Sequence, residues 1–165
     1  MNRVLVSALA AAAVAAAACG SSVDLSQNCS MNISVNGGAQ QSVSCFAAGA
    51  FAPSTGNAVS IAMTGALANV QDAQFAMTLP SAPSVRTYTA TGAEVTAAAG
   101  QLHTATGALY TQSKAASVGT FSVVLTSVNG VSANGQTAYF LHGTATVTLA
   151  GQSGAPGAAT ITATF

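Results

Sequence analysis

The sequence predicts an all-β protein, a single antiparallel β-sandwich of about eight or nine strands behind a short apolar N-terminal segment. Three observations carry this expectation. Apolar residues alternate with Ser, Thr, Gln and Asn at a period of two through most of the chain, the spacing of half-buried strands. Clusters of Gly, Pro, Ser and Asn break the runs at short intervals, as turns do between strands. Charge is nearly absent, with three Lys or Arg and three Asp or Glu in 165 residues, while β-branched residues are common. A disordered chain has the opposite composition.

The first element is the apolar segment. Arg3 gives a positive start, and Val4 to Ala18 is an unbroken run of Val, Leu, Ala and one Ser. The run is shorter than the ~20 residues a helix needs to span a bilayer. Its basic start, apolar middle and small residues at the end are those of an export signal. The junction Ala16-Ala17-Ala18-Cys19-Gly20-Ser21-Ser22 resembles the lipobox of bacterial lipoproteins. That resemblance implies a signal helix over residues 1–18 that is cut away, and lipidation of Cys19 as the new N-terminus. It also implies a membrane partner held through the acyl chains. Gly20 follows the Cys where some members carry an Asp that retains them in the inner membrane, so the resemblance implies outer-membrane sorting within the cell envelope. An ordinary secretory signal, cut after Ala18, is the alternative. Residues 19–28 then form the lipidated Cys and a tether. Its nine residues from Gly20 to Asn28 reach at most ~30 Å when extended.

Removing 18 residues from 165 leaves 147, enough for one domain, which is placed at 29–165 after the tether. That part carries Asp72, Glu94, Arg86 and Lys114, with Asp24 in the tether. Nucleic acid is excluded as a partner, because its binding rests on clustered Lys and Arg. Cys29 and Cys45 are an even pair in an exported chain and are expected to form a disulfide. Residues 29–35 and 39–45 form a hairpin around Asn36-Gly37-Gly38, and that register sets Cys29 opposite Cys45 and Met31 opposite Val43. A metal pair is the weaker alternative, since two Cys without a neighbouring His are too few ligands.

The strand period continues through Val59, Ile61 and Met63 and through Phe75, Met77 and Leu79. Pro53 to Asn57 and Pro80 to Ser84 are turn clusters. A helix is an option near Gly65 to Asp72. Val85 to Thr91 is a Thr-rich strand with Arg86 and Tyr88, and residues 92–118 hold two short strands around Val95 and Leu109-Tyr110. Phe121, Val123 and Leu125 share one face of the next strand, and Tyr139 to Leu149 form a long one. Asn129-Gly130 and Asn134-Gly135 read as turns between them. Gly143 inside the long strand reads as a bulge or bend. Ala159, Ile161, Ala163 and Phe165 alternate with Thr to finish the chain. The set Gly119, Phe121, Tyr139, Leu141, His142 and Gly143 resembles a pattern in β-rich bacterial lipoproteins that carries no assigned function.

The sequence holds no Gly-x-Ser-x-Gly elbow, His-Glu-x-x-His, Cys-x-x-Cys or Gly-x-Gly-x-x-Gly. No catalytic, metal-binding or cofactor-binding residue is therefore assigned. His103 and His142 are expected to be structural. A general-base role for His142, with Asp72 or Glu94 orienting it and a Ser as nucleophile, is the weaker reading. Tyr88 and Tyr110 are weighed as a sugar platform and expected to be core. The expected function is a non-catalytic binding or structural module on the membrane. The alternatives are an edge-pairing subunit of a fibre or envelope assembly, and a Ser-His hydrolase.

Overall fold

The β1–β2 hairpin shows how this chain builds its sheet. Asn36 and Gly37 both take positive φ (53° and 70°), and the Gly38 amide donates to the Val35 carbonyl at 3.0 Å. Left-handed backbone is the conformation that Asn and Gly adopt with least strain, so the Asn-Gly pair sets the turn. β1 (Ser26–Val35) and β2 (Gln41–Ala48) leave it antiparallel, with Cys29 opposite Cys45, Met31 opposite Val43 and Ile33 opposite Gln41. This is the register expected from the sequence.

The computed structural model describes residues 26–48, 50–52, 59–67, 70–79, 82–133 and 136–165. The expected signal helix, Cys19, the tether up to Leu25, and the Pro53 and Asn134 turn clusters lie outside them. Among the described residues the chain is all-β and contains no helix. After β2 come β3 (Ala50–Ala52), β4 (Val59–Leu67), β5 (Val70–Leu79) and β6 (Thr87–Thr89). Then follow β7 (Ala97–Thr104), β8 (Leu109–Ser113), β9 (Thr120–Ala133), β10 (Gln136–Gln152) and β11 (Ala158–Thr164).

Among the described residues eleven strands form one hydrogen-bonded sheet, against an expectation of about eight or nine in a sandwich. The path runs β11-β1-β2-β4-β5-β7-β8-β10, and a β10–β11 ladder joins its two ends. Those eight strands make a closed circuit in place of two separate sheets. β9 and β6 continue outward from β10, and β3 lies on the opposite edge of its first half.

Several local expectations change. Residues 59–67 and 70–79 are paired strands, so the option of a helix over Gly65 to Asp72 fails; the Val, Ile and Met alternation outweighs the Ala-rich connection. Val95 is buried in the turn before β7, and the strand itself starts at Ala97. Asn129-Gly130 sits inside β9 and is not a turn. Gly130 lies directly opposite Tyr139, and a Cβ there would press on that ring at 3.3 Å, so the glycine makes room for an aromatic neighbour.

The bulge expected at Gly143 is present. The β9–β10 register shifts between His142 and Gly143, where Ser127 and Leu125 are the successive partners. A Cβ on Gly143 would collide with the Val124 carbonyl, so the two backbones meet there only because the side chain is missing.

The core is the inward set of this sheet: Met31, Ile33, Phe75, Leu102, Tyr110, Leu125, Val147, Leu149 and Ile161 are all within 2 % of full burial. Phe75 and Phe121 pack with ring centroids 5.2 Å apart and tilted by 49°. Each such side chain contributes roughly 1.5–3 kcal/mol by leaving water. Outward positions over Ser30–Ser34 of β1, Thr144–Thr148 of β10 and Thr160–Thr164 of β11 are Ser, Asn and Thr, unlike the lipid-facing apolar band of a membrane barrel.

Candidate functional site

Three neighbouring strands build a continuous polar surface. Strand alternation sends Thr144, Thr146 and Thr148 of β10, Thr160, Thr162 and Thr164 of β11, and Ser30, Asn32 and Ser34 of β1 to the outside. Register aligns them in rows: Thr144, Thr164 and Ser30, then Thr146, Thr162 and Asn32, then Thr148, Thr160 and Ser34. Rows along a strand repeat every ~6.6 Å, and strands stand ~4.8 Å apart. The result is a grid of hydroxyls with no charge in it. A shallow depression of about 150 Å³ opens over Ser30, Asn32, Thr144, Thr146, Thr162 and Thr164. Asn32 Oδ1 accepts from the Ser42 hydroxyl at 2.7 Å. The grid offers donors and acceptors to an uncharged polar partner.

The titratable groups stand elsewhere. On β5 and β7, His103 Nδ1 lies 2.7 Å from Asp72 Oδ1, and Gln101 Nε2 donates to Asp72 Oδ2 at 2.9 Å. Asp72 and His103 are directly opposed in the regular β5–β7 register, next to a bulge between Val70 and Asp72. The pair is half exposed, with 35 % of the His side chain and 42 % of the Asp side chain open to solvent. Among the described residues no Ser or Thr hydroxyl is hydrogen-bonded to His103. Asp72 orients the imidazole, yet a nucleophile that would complete a relay is not in contact with it.

The weaker catalytic reading needs Asp72 or Glu94 beside His142. The structure pairs Asp72 with His103 and sets Glu94 against Arg86 at 3.2 Å. His142 is exposed on β10 opposite Ser127, and its backbone carbonyl accepts from the Thr126 hydroxyl at 3.1 Å.

The remaining charges hold backbone or one another. Lys114 Nζ donates to the Ala90 and Gly92 carbonyls at 2.6 and 2.9 Å, tying the β6–β7 connection to the turn after β8. Arg86 lies over the Tyr88 ring, 5.6 Å from its centroid. Tyr88 and Tyr110 are 3 % and 1 % exposed, so neither forms a platform. The Tyr110 hydroxyl donates to the Pro156 carbonyl and receives from Asn36 Nδ2, joining two loops at one end of the circuit.

Cys29 and Cys45 form a pair at disulfide distance, with Cα atoms 5.3 Å apart and Cys45 in the core. The described residues contain no cluster of three or more His, Cys, Asp or Glu able to hold a metal. Gln101 and the hydroxyl grid were not foreseen. The Thr alternation in β10 and β11 was visible, but its alignment with Ser30 and Asn32 depends on strands far apart in sequence. Comparison with protein families, with curated proteins and with solved structures finds no match to this chain.

Proposed function

We propose that the protein is a lipid-anchored lipoprotein of the bacterial cell envelope, sorted to the outer membrane, whose β domain is a non-catalytic binding or structural module. Two features support this: the lipobox-like junction at Cys19, and the uncharged hydroxyl grid of β10, β11 and β1. The grid is the observation that carries the binding role. It presents many weak hydrogen-bonding groups over a broad surface and no proton-transfer group among them.

The anchor is tested by mass spectrometry of the mature N-terminus from isolated envelopes. The expected peptide begins at Cys19 and carries at least two acyl chains, which stable anchoring requires. An unmodified Cys19 overturns the anchored reading. The partner is sought by cross-linking and pull-down from intact envelopes with the full-length protein as bait. The wild type and a Thr146→Lys, Thr162→Lys variant are compared, and the variant is expected to lose the captured partner. Absence of catalysis is tested with a panel of esters, glycosides and peptides. Turnover by the wild type that disappears in folded His103→Gln or His142→Gln protein shows a hydrolase instead.

A second reading, an edge-pairing subunit, is favoured by the outer edge of β9, which lacks Lys and Pro.

A further inference from the structure

Two large apolar side chains are exposed among the described residues, and both belong to one strand edge. Val131 of β9 is 48 % exposed, and Val85, just before β6, is 62 % exposed. β6 covers the beginning of that edge through Thr87 opposite Val124, Tyr88 opposite Val123 and Thr89 opposite Ser122. The Leu125 amide donates to the Arg86 carbonyl at 2.9 Å. There the cover ends, because Tyr88 takes hold of Ser84. Its hydroxyl accepts from the Ser84 amide at 2.9 Å and donates to the Ser84 carbonyl at 3.1 Å. With both backbone groups engaged by a side chain, Ser84 does not extend the ladder. β9 runs on to Ala133 with β10 on its other side, and among the described residues no strand pairs its second edge beyond Leu125.

We infer that this edge, from Ser127 to Ala133, pairs antiparallel with the same edge of a second copy of the chain to form a two-fold dimer. An open strand edge is a template for another strand unless Lys, Pro or a covering segment blocks it. The stretch Ser127-Val128-Asn129-Gly130-Val131-Ser132-Ala133 has none of these residues. A two-fold antiparallel pair brings identical edges together, so it demands that the edge tolerate itself. This one does, since no Asp, Glu, Lys or Arg occurs after Lys114 and like charges cannot meet across the axis. Recognition of a foreign peptide by strand addition draws its specificity from side-chain pockets along the edge. Ser, Asn and Gly here supply mostly main chain, which favours self-pairing. A partner strand continues the line of β6 and covers Val131.

Sedimentation equilibrium of the purified full-length protein, in density-matched detergent, tests this with Val131→Lys, Val131→Glu and their equimolar mixture. The wild type is expected to be a dimer. Each charged variant is expected to weaken association by about ten-fold or more, and the mixture to restore it, because opposite charges then meet near the axis. Val131 is exposed, so both variants keep the wild-type circular dichroism. A Cys19→Ser protein is expected to dimerise equally well, which separates this outcome from that of the anchor. A monomeric wild type, or charged variants that dimerise as the wild type does, overturns the inference.

Discussion

Gln112 is a buried polar side chain, 1 % exposed, whose amide nitrogen and oxygen have no hydrogen-bond partner among the described residues. It faces inward from β8, opposite Gly100 of β7. A buried amide without partners costs ~1–3 kcal/mol in lost hydration. Gln112→Leu, similar in size and apolar, is therefore expected to raise stability by about that amount. Urea unfolding reads the gain, and a lowered midpoint shows that Gln112 does hold a partner. Nothing in the sequence marks this residue, because a Gln at an inward position breaks the alternation by which inward positions are recognised. The Asp72–His103 pair was hidden for another reason. The two residues are far apart in sequence and face each other through the regular β5–β7 register, which neither stretch marks locally. The inward role of Met31, Ile33, Phe75, Phe121, Leu149 and Ile161 was legible from alternation alone.

The β1–β2 hairpin was readable as an element because its turn, its alternation and its Cys pair all lie within a short stretch and agree. Non-reducing peptide mapping is expected to join Cys29 to Cys45. Converting both to Ser is expected to cost roughly 3 kcal/mol by freeing a loop of about 17 residues in the unfolded chain. Two free thiols in natively purified protein refute the bridge. Residues 92–118 were hard to read for the opposite reason. β7 is short and Ala-rich, β8 has five residues, and the stretch is held by distant contacts such as Lys114 on the Ala90 and Gly92 carbonyls. Asn129-Gly130 carried a turn signal that the pairing of β9 with β10 overrides, since Gly130 serves Tyr139 and not a reversal of the chain.

For the whole molecule, the all-β class followed from composition and period, but the joining of the strands into one closed circuit did not. Closure depends on β11, which pairs β1 on one side and β10 on the other. Pairings across nearly the full chain leave no local mark in a sequence. Truncation before Ala158 is expected to unfold the domain, because it opens two ladders and removes Ala159, Ile161 and Ala163 from the core. Circular dichroism and proteolysis measure this, and a folded truncated domain shows that the circuit is dispensable. The position of β11 also sets an order in time. It is synthesised after every other strand, so β1 waits for a neighbour that does not yet exist while the ribosome works. Long-range pairing of this kind folds slowly. The ladder that closes the circuit therefore forms late, once β1 and β11 are both free to meet, and the inward face of β1 stays uncovered on that side until then.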